Sequence, residues 1–206
     1  MDDELTRRCR EIPTSTWSDA LDSLGLPGVL NGFVTRAGEG RFAGPAVPVD
    51  EHVGPLGSAE PSAFGIDIIL RESRAGDVAV IRQSDGPLAS AIGGLAALAA
   101  RRHGIAGIVI AGACRDVEEL VDVGLPVMSR TLTPASGRGR AQIVGVNVPV
   151  EIDGVRVSPG DWVVGDATGV VVLPAARLTE LLDLATERAR SDGAQAAVLS
   201  ADRPQT

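Results

Sequence analysis

The chain contains no lysine and no tyrosine, and all 19 of its basic residues are arginine. Without lysine there is no Schiff-base nucleophile, which excludes a class I aldolase and a pyridoxal enzyme. A phosphate-binding loop of the Walker type is excluded for the same reason. Without tyrosine there is no phenolic acid. If the protein performs carbonyl chemistry, a metal ion must therefore serve as the electron sink.

Cysteine and histidine are scarce as well, with two of each in 206 residues. Cys9 and Cys114 are too few for a disulfide framework or a cysteine-based zinc site. Cys114, which precedes an arginine, is interpreted either as an activated thiol or as a small buried filler, and the second is favoured. His103 falls in the last turn of a predicted helix, where a cation suits the helix dipole. His52 has no visible partner.

Positive charge and long apolar runs are also lacking. The net charge of −8 argues against a nucleic-acid partner, which would need clustered positive charge. No apolar run reaches the roughly 20 residues that span a membrane, so no membrane partner is expected. The N-terminal sequence is charged and has no apolar signal core, which predicts a cytoplasmic protein.

The chain has the length of one domain with a substantial core. No repeat, linker or low-complexity tract divides it. We predict a single domain over residues 1–190, followed by a loose polar tail over residues 191–206.

Residues 93–119 carry the most informative pattern. An Ala- and Leu-rich stretch after Gly93 and Gly94 predicts a helix that ends at Gly104, and residues 105–110 form a buried apolar strand. A second buried strand, residues 77–81, precedes this helix. Strand, helix and strand with short connections indicate a right-handed parallel βαβ crossover.

In such a unit the helix start and the end of the second strand meet at the carboxyl edge of the sheet, where open α/β sheets bind ligands. Gly93 and Gly94 should therefore lie near Arg115 and Asp116. Backbone N–H groups at a bare helix start bind a carboxylate or phosphate, and Arg115 could clamp the same anion. Asp116 is a hard oxygen ligand for Mg²⁺ or Mn²⁺. An anion site beside a metal suits a small-molecule 2-oxo acid, whose keto group the metal would polarise.

A structural interpretation fits the same residues. Asp116, with Glu119 three residues later and an apolar run beyond, makes a serviceable helix N-cap. Arg115 could then be a surface arginine. The two roles are compatible, and the spacing favours capping slightly.

The remaining segments are predicted more coarsely. The expected elements are two helices within residues 1–25 separated by Pro13, the second capped by Thr16 or Ser18; short strands and turns over residues 28–50; a short helix over residues 66–70; a polar loop over residues 83–90, in which Asp85 could face a metal; several strands over residues 143–173; and an amphipathic helix over residues 174–190.

Several short segments occur in an order and spacing that are informative only when they are taken together: Trp17-Ser18-Asp19-Ala20-Leu21-Asp22, Gly25-Leu26, Gly44-Pro45-Ala46, Gly76-Asp77-Val78, Gly94 with Arg115-Asp116 and Glu119, Asn147-Val148-Pro149-Val150, Pro159-Gly160-Asp161 and Asp166-Ala167-Thr168-Gly169-Val170. With these segments the chain resembles, over nearly its whole length, the family of RraA-like proteins and 4-hydroxy-4-methyl-2-oxoglutarate aldolases. Each segment is weak alone, whereas their order and spacing together are specific.

The resemblance implies an α/β fold, a single layered β/β/α swivelling-domain-like fold whose parallel βαβ unit carries the site. It implies a homotrimer or a hexamer with sites at subunit interfaces. In the site, the backbone of Gly93, Gly94, Leu95 and Ala96 would cradle the substrate carboxylate. Arg115 would bind the carboxylate and keto oxygen, and Asp116 would bind Mg²⁺ or Mn²⁺.

Enzymatic members of the family are similar in cleaving 4-hydroxy-2-oxo dicarboxylic acids to pyruvate and a second oxo acid, and many decarboxylate oxaloacetate. Other relatives are named as protein-binding regulators of an RNA-degrading enzyme. This sequence has Ala111 where members usually carry Asp, Gly94 where an acidic or polar residue is common, and no match for an acidic residue near the C-terminus. These departures concern proton transfer rather than binding, so a repurposed lyase is a further alternative.

Overall fold

The computed structural model describes residues 4–84 and 86–201. These residues form six α-helices: α1 (Glu4–Glu11), α2 (Thr14–Ser23), α3 (Ile66–Leu70), α4 (Gly94–His103), α5 (Val117–Val123) and α6 (Leu178–Ala201). The strands are β1 (Val29–Leu30), β2 (Val34–Ala37), β3 (Phe42–Val53), β4 (Val78–Gln83), β5 (Ser90–Ile92), β6 (Gly107–Cys114), β7 (Val127–Leu132), β8 (Ala141–Val146), β9 (Val150–Ile152), β10 (Val155–Val157), β11 (Trp162–Gly165) and β12 (Val170–Leu173).

Ten of the strands form one mixed sheet in the order β1-β12-β11-β3-β4-β6-β7-β2, with β5 beside β6 and β8 beside β3. Strands β3, β4, β6 and β7 run parallel to one another, and the outer pairs are antiparallel. Residues 78–81 of β4 and 108–111 of β6 are continuous runs of Val, Ile and Ala because both faces of the sheet are covered there. The expected α/β fold is confirmed.

The predicted βαβ unit is present as β4, α4 and β6, with β4 and β6 paired in parallel. Helix α4 ends where Gly104 adopts a φ of 95°, and the Gly104 N–H bonds back to the carbonyls of Ala100 and Arg101. A left-handed residue of this kind favours glycine and ends the helix. The unit places the start of α4 and the end of β6 at the same edge of the sheet.

Strand β3 differs from the prediction for residues 28–50. The short strands β1 and β2 are present as predicted, but from Phe42 one strand of 12 residues replaces the remaining short ones, although it contains Pro45 and Pro48. Its first part pairs with β11 and its later part with β4 and β8. A proline is tolerated where its missing N–H costs no ladder bond, and a change of partner strands provides such places.

The start of α2 also differs. The helix begins at Thr14, so Thr16 and Ser18 lie inside it and cap nothing. Instead, Asp166 caps the helix from the far end of the chain: its carboxylate accepts bonds from the Thr14 N–H at 2.9 Å and the Thr14 hydroxyl at 2.7 Å. Local sequence cannot reveal a cap supplied 152 residues away.

The tail expected to be loose from residue 191 is helical as far as Ala201, because α6 continues without a break. Leu178, Leu181, Leu182 and Ala185 of its first half are buried with α1 and α2. The extension beyond Arg190 is rich in alanine, the strongest helix former. Within the described residues, no helix is long and apolar enough to cross a bilayer.

Candidate active site

A cleft of about 660 Å³ opens at the carboxyl edge of the parallel strands. The start of α4 lines one side with Gly93, Leu95 and Ala96, and the turn after β6 lines the other with Arg115 and Asp116. The two segments are about twenty positions apart in sequence and in direct contact in space. The structure thus brings together the residues that the sequence assigned to the site.

Asp116 adopts an unusual backbone conformation, with φ 57° and ψ 46°. A left-handed conformation is uncommon for a residue with a side chain and is maintained by its surroundings, often at functional sites. It directs the carboxylate away from α5, whose N–H groups receive no side-chain cap from it. The interpretation of Asp116 as the side-chain cap of its own helix is therefore wrong.

The Asp116 carboxylate faces the bare start of α4 instead. Its Oδ2 atom accepts a hydrogen bond from the Gly94 N–H at 3.3 Å and lies 3.2 Å from Nε of Arg115. The N–H groups of Leu95 and Ala96, in the first turn, have no acceptor within the helix. The guanidinium, the carboxylate and the helix start thus share one pocket, and both side chains remain about one-third exposed, at 38% for Arg115 and 34% for Asp116.

Glycine suits positions 93 and 94 because a Cβ atom at either one would overlap the facing side chains, which would then have to move. A Cβ on Gly93 would lie 2.4 Å from Oδ2 of Asp116. A Cβ on Gly94 would lie 1.9 Å from Oε2 of Glu119 and 2.5 Å from its Cβ. The carboxylate of Glu119 thus occupies the space that a side chain at position 94 would fill, and it supplies an acid where the family resemblance led us to expect one.

The donor set fits a hard divalent cation. Asp116 and Glu119 both line the cleft, and the open cleft leaves space for water ligands. Mg²⁺ commonly binds through one or two carboxylates and keeps several waters. Among residues 4–84 and 86–201, no group of three or more His, Cys, Asp and Glu side chains is placed to hold a metal ion.

Cys114 is a buried filler rather than a reactive thiol. Burial raises the pKa of this thiol, and its Sγ atom lies 3.3 Å from the hydroxyl of Ser129. A thiol that stays protonated is a poor nucleophile and a poor metal ligand. His103 points elsewhere, with Nε2 3.0 Å from the carbonyl of Ser73. Asp85, which could have faced a metal, lies outside the described residues.

The sequence did not indicate the outer wall of the cleft. Phe64 and Ile66 form an apolar part of this wall, and the loop after β7 contributes Ser136 and Arg138. The Arg138 guanidinium has no hydrogen bond or ion pair with any described residue. The sequence Gly137-Arg138-Gly139-Arg140 indicates a loop with two arginines, but nothing in the sequence places that loop against α4. Ala111, by contrast, belongs to an apolar core cluster.

The same fold occurs in solved structures of related sequence. RraAS2 from Streptomyces coelicolor, described as an unusual member of the RNase ES inhibitor RraA protein family, superimposes with a TM-score of 0.83 at 26% identity, covering 95% of this chain and 98% of that one. A protein of Pseudomonas syringae pv. tomato superimposes with a TM-score of 0.86 at 28% identity, covering 97% of this chain and 90% of that one. The architecture is therefore the RraA fold, a curled mixed sheet with helices.

The chain belongs to the RraA-like family: the family model, described as Aldolase/RraA, matches residues 14–172. A protein of Halalkalibacterium halodurans named "Putative 4-hydroxy-4-methyl-2-oxoglutarate aldolase" is 33% identical over 192 residues, which are 93% of this chain and 86% of that protein. The matched region includes every residue of the cleft described above.

Proposed function

We propose that this protein is a divalent-metal-dependent lyase that cleaves 4-hydroxy-2-oxo acids to pyruvate and a second oxo acid and also decarboxylates oxaloacetate. One observation carries the proposal: the carboxylate of Asp116, held in a left-handed turn, faces Arg115 and the Gly94 N–H across one open cleft. The aldolase names of relatives such as the H. halodurans protein support the same reaction class.

Each part of the cleft has a role in this reaction. The Arg115 guanidinium binds the substrate carboxylate through parallel hydrogen bonds, and the amides of Gly93 to Ala96 bind the same group at the helix start. Asp116, with Glu119 beside it, holds Mg²⁺ or Mn²⁺. The ion supplies Lewis acidity at the keto oxygen, where negative charge develops as the C–C bond breaks. With no lysine in the chain, this charge is not passed to a Schiff base.

Pyruvate release tests the proposal directly. The purified protein is given oxaloacetate or 4-hydroxy-4-methyl-2-oxoglutarate with Mg²⁺ or Mn²⁺, and metal without protein serves as the blank because oxaloacetate also decays unaided. We expect release that EDTA abolishes and added metal restores.

Asp116→Ala should reduce turnover at least about 100-fold. Asp122→Ala, an exposed aspartate of the same helix outside the cleft, is the matched control. Full activity in EDTA or in Asp116→Ala would refute the proposal.

We also propose that the active form is a homotrimer, or a hexamer of two trimers, with the cleft at a subunit interface. Leu95 lies at the cleft with 82% of its surface exposed, and Leu132, at the end of β7, is 44% exposed. A leucine as exposed as Leu95, beside an open cleft, suits a surface that a partner subunit covers. Light scattering should give three or six chains, and Leu95→Glu should dissociate the assembly and lower activity. A fully active monomer would refute this assembly.

A second candidate is a protein-binding regulator of a ribonuclease. The description of S. coelicolor RraAS2 supports it, as does the net charge of −8, which suits a basic protein partner. It predicts that the protein slows a ribonuclease in a salt-sensitive manner whether or not the cleft is intact. Inhibition that persists in Asp116→Ala would separate this role from the lyase. Lyase activity without any inhibition would exclude it under those conditions.

A further inference from the structure

A partly buried polar cluster lies behind the cleft, where the sheet changes its strand pairing. Strand β6 pairs with β4 as far as Arg82 opposite Ala111, and from Ala113 onward it pairs with β5. The exchange of partners takes place at Gly112. Strand β5 leads directly into Gly93 and Gly94, and β6 leads directly into Arg115 and Asp116.

The side chain of Gln83, the last residue of β4, bridges this exchange. Its Oε1 atom accepts a hydrogen bond from the Ala113 N–H at 2.8 Å, and its Nε2 atom donates to the Ala89 carbonyl at 2.9 Å. One amide therefore ties the strand before Arg115 to the segment before Gly93. A Cβ on Gly112 would lie 1.9 Å from Oε1 of Gln83, so this seat depends on glycine at that position.

Glu51 of β3 supports Gln83 from below. Its Oε1 atom lies 2.6 Å from Nε2 of Gln83, and only 1% of the Glu51 surface is exposed. The carboxyl group fixes which way the Gln83 amide is turned, because Nε2 must face the two acceptors and Oε1 must face the Ala113 N–H. A side-chain amide that uses its oxygen and both N–H groups in this way favours one arrangement of the strands that it joins.

We propose that Gln83, held by Glu51, is a positioning residue that sets the distance between the Gly93–Gly94 amides and the Arg115–Asp116 pair, and that it acts on the proposed lyase reaction through this distance. Neither side chain lines the cleft, so neither touches the substrate. A displacement of about 1 Å between reacting groups costs up to about 100-fold in rate. We call the bonds of Gln83 to Ala113, Ala89 and Glu51 the Gln83 clamp. The kinetic consequence of this inference rests on the proposed function, whereas the clamp itself does not.

The test compares variants at Gln83 with a control that breaks a similar tie elsewhere. Gln83→Leu removes the bonds to Ala113, Ala89 and Glu51 and should lower kcat about 10- to 100-fold in the folded protein. Asp161→Leu removes bonds from the Ser158 and Ala175 N–H groups, far from the cleft, and should leave kcat of the folded protein unchanged. Equal kcat losses in the two variants would overturn the proposal.

Conservative variants separate positioning from simple packing. A protonated glutamic acid offers a carbonyl oxygen to the Ala113 N–H and one O–H group, so it restores one of the two hydrogen bonds that the amide nitrogen donates. Gln83→Glu should therefore gain activity relative to wild type as the pH falls, whereas Gln83→Leu should not. Glu51→Leu should lose more kcat than Glu51→Gln, which still presents an oxygen to Nε2. The opposite order at either position would contradict the clamp.

Hydrogen–deuterium exchange reports on the clamp without any reaction. In Gln83→Leu the amides of residues 89–96 should exchange faster than in wild type, and those of residues 166–173 should not. If wild type releases no pyruvate from any substrate, the proposed function fails while exchange still decides the clamp. Unchanged exchange over residues 89–96 in Gln83→Leu would overturn it.

Discussion

Two clefts of the same size, about 660 Å³ each, lie at opposite ends of the parallel strands. One is the candidate active site at the carboxyl edge, and the other lies at the amino edge, where Gly76, Gly104 and Pro126 precede β4, β6 and β7. Both contain arginines and an aspartate. Volume and composition therefore do not distinguish them, and backbone geometry does.

At the amino-edge cleft the charged groups serve local structure. The Asp77 carboxylate accepts the Arg74 N–H at 2.7 Å and closes a turn. Arg41 donates to the Glu11 carbonyl and lies 3.9 Å from Asp166, which ties α1 to the sheet. Left-handed residues in this cleft are glycines, for which the conformation is ordinary. At the carboxyl edge the left-handed residue is Asp116, whose carboxylate lines the cleft beside Arg115 and the Gly94 N–H.

The largest expected difference between the clefts is catalytic. Arg115→Met removes the guanidinium that we assign to the substrate carboxylate and should lower kcat/KM for oxaloacetate by about 10²- to 10³-fold. Arg74→Met, the corresponding loss at the amino-edge cleft, should change it less than about twofold. Steady-state kinetics with saturating Mg²⁺ measures both. Comparable losses in the two variants would erase the distinction between the clefts.

The acids behind the two clefts should respond oppositely to pH. Burial raises the pKa of Glu51 to about 7. Because the raised pKa favours the protonated carboxyl group in the folded state, the contribution of Glu51 to the free energy of unfolding is fully present below about pH 4.5. This contribution, roughly 3 kcal/mol at most, is lost as the pH rises through about 7. Glu51→Gln should remove this decline, as urea unfolding between pH 4 and 8 would show. A wild-type stability that rises over this range without any such decline would contradict the assignment.

Asp166, behind the amino-edge cleft, provides the contrast. Burial alone would raise the pKa of Asp166, but hydrogen bonds from Thr14, Thr168 and Gly169 outweigh it and lower the pKa. Its contribution is therefore present above its ordinary pKa and is lost as the pH falls through the lowered value. Asp166→Asn should change only the acid limb of the stability curve. If Asp166→Asn instead changed the slope of stability against pH near pH 7, the lowered pKa of Asp166 would be refuted.

The smallest expected effects come from a pair of glycines. Gly94→Ala places a Cβ atom 2.5 Å from the Cβ of Glu119, so the backbone must shift as well as the Glu119 side chain, and the variant should lose about tenfold in activity and some stability. Gly104→Ala places a side chain at a φ of 95° and should cost about 1–2 kcal/mol without affecting kcat. Thermal unfolding and steady-state kinetics on both variants measure the loss of stability and the loss of activity in each. Activity loss in Gly104→Ala alone would reverse our reading of the two edges.

Local and short-range patterns made much of this structure predictable. The βαβ unit and the meeting of Gly93 and Gly94 with Arg115 and Asp116 follow from strand periodicity and the geometry of a parallel crossover, and the structure confirms them. Long-range features were not accessible in this way. The unbroken β3 depends on three partner strands, and the Gln83 clamp depends on which strands meet at Gly112. The left-handed Asp116 depends on the contacts around it, since its identity alone would also suit a cap.

The bond between Thr14 and Asp166 has a consequence for the order of folding. It joins positions 152 residues apart and closes most of the chain into a loop. Closing a long loop costs chain entropy that a single contact does not offset. The bond between Thr14 and Asp166 should therefore form only after the strands between these two residues have assembled. Helix α2, which begins at Thr14, should therefore pack against the sheet only after the strands have assembled.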